Sequence, residues 1–90
     1  MTAVYIPTPM REFTDGQATL QFPSKTVGEL FQALEARHPG IRTRLYDQNG
    51  RLNTYIAVFV NEEDIRELEG EATPLRDRDE VYIIPAIAGG

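Results

Sequence analysis

Apolar positions along this chain follow two periods, and their order outlines a small α+β domain. Between them, Val27, Leu30, Phe31 and Leu34 recur at i, i+3, i+4 and i+7, one apolar stripe of a helix. Thr26 followed three residues later by Glu29 has capping-box spacing, in which each side chain satisfies a free backbone N–H of the other's residue. Arg37 and His38 close the last turn, where positive charge suits the helix dipole, and Pro39-Gly40 stops it. His38 therefore reads as a helix-end residue, not as a catalytic base.

The remaining apolar runs alternate with period two. Residues 3–7 (AVYIP) and 18–22 (ATLQF) read as an opening hairpin, with Ala18, Leu20 and Phe22 on one face and a turn signal at 14–16 (TDG). Residues 54–60 (TYIAVFV), β-branched and aromatic, form the strongest strand, and 81–85 (VYIIP) the last one. Ile41 and Leu45 anchor a short helical turn before the turn DQNG at 47–50. The acidic stretch 61–75 reads as a loop with a short edge strand, pinned to the core by Ile65, Leu68 and Leu75. The expected fold is a mixed sheet of four to five strands with one main helix packed across one face. Residues 1–85 form the domain and 86–90 a flexible tail.

Alternation also sorts the strand residues. Val4, Ile6, Leu20, Phe22, Ile56, Val58, Val60, Val81 and Ile83 have the phase to meet the helix. Tyr5, Tyr55, Phe59, Tyr82 and Ile84 then point the other way. A single helix covers one face only, so this second set is either a docking surface or a satellite cluster beneath the long loops. Tyr55, Phe59, Tyr82 and Ile84 are the candidate docking residues.

Composition narrows the chemistry. The chain has 90 residues, no cysteine, one histidine and a net charge of −5. That excludes disulfides and cysteine chemistry, disfavours a zinc site, and argues against nucleic-acid or anionic-membrane surfaces. No apolar run approaches the length of a membrane span, and the first ten residues lack the features of a signal peptide, so the expected location is the cytoplasm. The acidic residues of 61–69 have neither the glycine nor the spacing of a calcium loop, and no glycine run precedes the helix to cradle a phosphate. Lys25 is the only lysine against eight arginines. Arginine-favouring codon usage accounts for this. The other reading is that few amines remain to attack an activated carboxyl on a sister molecule.

The last residues carry the strongest signal. After Glu80 there is no charged side chain: a strand, Pro85, Ala86-Ile87-Ala88 and then Gly89-Gly90. Pro85 removes the next ladder donor, so the chain leaves the sheet there. Two glycines without Cβ atoms can thread a narrow channel and bring a terminal carboxyl to a nucleotide phosphate without crowding. Adenylation would make that carboxyl an electrophile for a sulfur donor or an amine, the partner supplying positioning and electrostatics.

The order of elements and the ending IIPAIAGG resemble the β-grasp, ubiquitin-like sulfur carrier proteins of the MoaD/ThiS type, over the whole chain. VYIPT at 4–8, VFVNEEDIR at 58–66 and PAIAGG at 85–90 are most similar to the branch that delivers sulfide for cysteine biosynthesis. The resemblance implies a carrier that is not itself an enzyme. An E1-like, ATP-dependent enzyme adenylates the Gly90 carboxyl, and sulfur replaces one oxygen to give a thiocarboxylate. A PLP-dependent cysteine synthase accepts the sulfide, and a recycling metallopeptidase is a further possible partner. Gly90 is then the reacting residue, Gly89 its neighbour, and Pro85, Ala86, Ile87 and Ala88 the threading lead. ATP and PLP belong to the partners, and this chain binds neither stably. Carriers of this kind also serve molybdopterin, thiazole and tRNA thiolation, and the same terminus suits a modifier joined to lysines. One departure stands out: the turn that often reads Asp-Gly-Asp in this family is Asp77-Arg78-Asp79 here. If the glycine serves a left-handed position, Arg78 costs on the order of 1 kcal/mol.

Overall fold

The computed structural model describes residues 1–85. The tail expected at 86–90 lies outside the described residues. The strands are β1 (Thr2–Tyr5), β2 (Thr19–Phe22), β3 (Ile56–Val60), β4 (Glu63–Asp64) and β5 (Glu80–Pro85), with helices α1 (Val27–Arg37) and α2 (Arg42–Leu45). Short 3-10 turns fill Thr8–Thr14, Pro39–Ile41, Ile65–Glu67 and Gly70–Ala72. The sheet order is β2-β1-β5-β3-β4. β1 and β5 run parallel in its middle, and the other neighbours are antiparallel. With α1 across one face, this is the β-grasp fold that the sequence leads one to expect.

The helix stripe makes the core. Val27, Leu30, Phe31 and Leu34 are fully buried against the inward residues Val4, Leu20, Phe22, Val58, Val60, Val81 and Ile83. Ile6 continues past β1 into the same core, its N–H donating to the Ala18 carbonyl at 2.7 Å. Thr26 Oγ1 accepts from the Glu29 N–H at 3.1 Å. The return arm of the expected capping box reaches one residue further back, Glu29 Oε1 accepting from the Lys25 N–H. His38 is the C-cap, its N–H donating to the Leu34 carbonyl at 2.8 Å.

Four details differ from the sequence pattern. The third strand begins at Ile56, not Thr54, because the Asn53 side chain accepts the Tyr55 N–H at 3.0 Å and curls the chain into a turn. Ala18 precedes β2 and is exposed, so only Leu20 and Phe22 of its trio reach the core. Ile56 is half-buried, lying at the end of its strand. Leu68 is 37% exposed, while Ile65 and Leu75 do pin their loop. That loop also clasps α1. The Val27 N–H donates to the Thr73 carbonyl at 3.1 Å, and the Leu75 N–H to the Lys25 carbonyl at 2.8 Å. Gly28 lies so close beneath it that a Cβ would stand 3.3 Å from the Glu71 carbonyl oxygen.

The turn before β5 is closed without glycine. Its Arg76 N–H donates to Asp79 Oδ2 at 2.8 Å and its Asp79 N–H to the Arg76 carbonyl at 3.0 Å. The described non-glycine residues with positive φ are Asp15 and Asn61, so Arg78 carries no left-handed strain and the cost raised above does not arise. Among the described residues no helix is long and apolar enough to cross a membrane.

Phe31 has no exposed surface. Phe31→Ala should lower stability by about 3–5 kcal/mol, and Thr26→Ala by about 1 kcal/mol through the lost cap. Urea unfolding followed by far-UV circular dichroism measures both. Equal losses would contradict the core and cap roles assigned to them.

Candidate functional site

β5 occupies the centre of the sheet, with β1 on one side and β3 on the other. Its alternation sends Val81 and Ile83 into the core and Tyr82 and Ile84 to the face that α1 leaves open. Register then assembles a row across the strands. Tyr5 stands beside Tyr82, and Tyr82 opposite Phe59; one step along, Ile84 faces Ala57. The structure therefore brings three of the four candidate docking residues together, Phe59 and Tyr82 half-buried and Ile84 45% exposed. Tyr55 is elsewhere. At 62% exposed, it lines a groove with Pro9, Arg44, Ile56 and Pro85, where the last described residue leaves the sheet. Pro85 pairs with Ile56 at the end of β3. Gly90, Gly89, Ala88, Ile87 and Ala86 lie outside the described residues.

The open face holds a feature that the periodicity did not single out. The Tyr5 and Tyr82 rings stack in parallel, with centroids 4.6 Å apart and an interplanar angle of 9°. Both hydroxyls donate to the Glu80 carboxylate, Tyr5 to Oε2 at 2.6 Å and Tyr82 to Oε1 at 2.9 Å. The two phenol donors hold the Glu80 carboxyl below the usual carboxylate range. Reciprocally, the Glu80 carboxylate and partial desolvation push both phenols up. Glu80 is thus an ionised acceptor on a rigid aromatic platform at neutral pH. Its spacing from Tyr82 was visible as i, i+2 on one strand face. Nothing local, however, indicated that Tyr5 from the first strand would lie alongside.

The backbone around Glu80 is fixed as well. Its N–H donates to Asn61 Oδ1 at 3.0 Å, and its carbonyl accepts the Asn61 N–H at 2.7 Å. Asn61 Nδ2 in turn donates to Asp79 Oδ1 at 3.1 Å. Asn61 sits at φ 56°, a left-handed position that asparagine tolerates better than most residues. Among the described residues no group of histidine and acidic side chains is arranged to hold a metal ion.

Comparison with known proteins supplies the context for this geometry. Residues 4–90 match the ThiS family. The chain is 42% identical over 89 residues to the sulfur carrier protein CysO of Mycobacterium tuberculosis, covering 97% of this chain and 96% of that one. It is 37% identical over 65 residues to small archaeal modifier protein 3 of Haloferax volcanii, covering 72% and 70%. Among solved structures, the Amycolatopsis orientalis BexX/CysO complex contains a chain that matches with a TM-score of 0.91 and 38% identity, over 100% of both chains.

Removing the Glu80 charge should release both phenols. In Glu80→Gln, ultraviolet titration should show the Tyr5 and Tyr82 ionisations moving down toward pH 10. Glu80 has a depressed folded pKa, so its stabilising effect is present above the unfolded carboxylate value of about 4.3 and is lost as pH falls through the folded value. The difference in stability between wild type and Glu80→Gln should therefore shrink on acidification below that value. A pH-independent difference would mean that the hydroxyl contacts do not bias ionisation.

Proposed function

The chain belongs to the ThiS family, and from that premise we propose that it is a sulfur carrier, not a catalyst, whose Gly90 carboxylate is the reacting group. The observation that carries this reading is the placement of the exit. β5 is held by β1 on one side through Tyr82 and by β3 on the other through Pro85, and the following residues Ala86 to Gly90 bring no charged side chain. A folded body thus fixes the root of a segment whose two terminal glycines leave its carbonyl unhindered. Five residues span at most about 17 Å, enough to enter another protein's active site while the domain stays outside.

The chemistry follows in steps that an E1-like, ATP-dependent partner would host. A Gly90 carboxylate oxygen attacks the α-phosphorus of ATP, pyrophosphate leaves, and an acyl-adenylate forms. A sulfide-level donor adds to the carbonyl carbon, AMP departs, and the product is the Gly90 thiocarboxylate. On a PLP-dependent cysteine synthase that sulfur takes the place of the activating group on the β-carbon of an activated serine, the activating group departs, and the Gly90 acyl group is left joined to cysteine; water, with a recycling metallopeptidase, cleaves that acyl–cysteine bond, releasing cysteine and restoring the carboxylate. The 42% identity to CysO supports cysteine biosynthesis as the destination, ahead of molybdopterin or tRNA thiolation. ATP and PLP stay with the partners. The expected setting is the cytoplasm, where these small-molecule reactants are available.

A second reading has its own support in the identity to an archaeal modifier protein. There an amine takes the place of the sulfur donor, and the Gly90 carbonyl ends in an amide with a target lysine.

Intact-mass measurement after incubation with the activating enzyme, ATP and a sulfide source tests the proposal. One oxygen of the chain should be exchanged for sulfur, and adding a serine-derived acceptor with its synthase should yield cysteine. Deleting Gly90 should abolish the exchange. A wild-type chain that never gains sulfur, or a deletion variant that still does, would overturn the carrier reading. Adducts on other proteins without any thiocarboxylate would select the modifier.

A further inference from the structure

An activated carboxyl reacts with whatever nucleophile reaches it, and the chain carries nucleophiles of its own. Its amines are the side chain of Lys25 and the amino group of Met1, and it has no cysteine. Capture by either amine would form a C–N bond at the Gly90 carbonyl carbon, break the bond to the AMP leaving group and release a proton. The resulting amide is no longer a carboxylate that can be adenylated. Each such event would remove one molecule from the cycle.

Both amines lie at the end of the sheet opposite Pro85. Glu80 and Pro85 bound β5, and the rise per residue puts them about 17 Å apart. Ala3 aligns with Glu80, so Met1, two residues earlier, stands about 24 Å from the level of Pro85. Its ammonium lies 3.4 Å from Asp77 Oδ1, further on in the same direction. Phe22 pairs with Thr2 on a strand two places from β5, which puts it about 22 Å from Pro85. Lys25 follows Phe22 and stays at that end. Its carbonyl accepts the Leu75 N–H at 2.8 Å, and the carbonyl of the next residue, Arg76, accepts the Thr2 hydroxyl. Residues 86–90 span at most about 17 Å. Even with the length of a lysine side chain added, the tail would have to double back fully extended along the folded body.

The exit carries the complementary feature. In the groove beside Pro85 the polar side chains are Arg44, Asn53 and Tyr55, and among the described residues that line it there is no amine or thiol. Its one cation is a guanidinium, which stays protonated at any physiological pH, whereas a lysine there would be a titratable amine next to the tail. Arg44 is carried by α2, and its guanidinium stands 5.3 Å from the centroid of the Phe13 ring. We propose that the fold keeps the activated Gly90 carbonyl from closing on its own chain, by holding Lys25 and Met1 at the far end of the sheet and by placing at the exit, in Arg44, a positive charge that is not a nucleophile. The inference rests on activation of the Gly90 carboxyl, which the carrier and modifier readings share. Attack on that carbonyl is then left to nucleophiles from other molecules.

The full-length chain bearing Gly90 as a mercaptoethanesulfonate thioester tests this without any activating enzyme. At mildly alkaline pH, intact mass separates hydrolysis, cyclisation with loss of the thiol alone, and dimers. Folded wild type should hydrolyse, and any amide it forms should be a dimer that increases with protein concentration. Arg44→Lys should give a cyclic product at least about tenfold above wild type and independent of concentration, because an amine tethered beside the tail acts at millimolar effective concentration. Tyr55→Lys, on the same groove, should do likewise, and a rise in either variant, mapped to the new lysine, places the exit within reach of the tail. Arg78→Lys adds the same amine at the Glu80 end and should match wild type. A concentration-independent cycle at Lys25 or Met1 in wild type, no rise in both exit variants, or an equal rise in Arg78→Lys would sink the inference and leave the carrier reading standing. A chain that behaves as expected here but never gains sulfur from the activating enzyme would sink the carrier reading instead.

Discussion

Parallel pairing of β1 with β5 joins the first strand of the domain to the last and places both in the middle of the sheet. Ala3 aligns with Glu80, Val4 with Val81 and Tyr5 with Tyr82. Parallel neighbours need a long crossover, and here the crossover is most of the protein. α1 lies within it, and its apolar stripe can be buried only where the inward residues of β1 and β5 sit side by side. The same three pairs fix the outward side, because a slip of β1 by one residue would turn Tyr5 into the core and Val4 out to solvent, and a slip of β5 would do the same to Tyr82 and Val81. Core, aromatic platform and exit of the chain at Pro85 are therefore set by one register.

That register separates two tasks that are hard to combine in ninety residues. The helix side supplies stability, with Val27, Leu30, Phe31 and Leu34 fully enclosed. The open side is left with half-buried aromatics whose hydroxyls need a partner, and Glu80 provides one acceptor for both. An ionised carboxylate that is already hydrogen-bonded is an ordered feature of the surface. It loses less freedom when a cation approaches than a free glutamate would. Glu80 lies at one end of β5 and Pro85, the last described residue, at the other.

Much of this was legible in the amino-acid order, and what was not has a common cause. The period of Val27, Leu30, Phe31 and Leu34, the Thr26 cap and the stop at Pro39-Gly40 are local signals, and α1 follows them. Strand alternation likewise sorted Val58 from Phe59 and Val81 from Tyr82 correctly. Tyr55 was misplaced because the Asn53 side chain captures its N–H, a turn that competes with a strongly β-prone run. Arg78 drew attention as a glycine substitute, yet the left-handed residue nearby is Asn61, on the other turn at this end of the sheet. The Glu80–Tyr5–Tyr82 cluster was not legible at all, since it depends on which strands become neighbours. For the candidate site, the sequence singled out Gly89-Gly90 and three residues of the face, whereas the acidic anchor between them needed the fold.

The central strand pair has a mechanical side too. β1 enters the sheet from Met1 at the Glu80 end, and β5 leaves it at the opposite end through Pro85. Tension between the amino terminus and the tail would load the β1–β5 hydrogen bonds in shear, all of them sharing the force, whereas the strands of a hairpin unzip one bond at a time. A partner can therefore grip and draw on the last residues of this chain without peeling the domain apart.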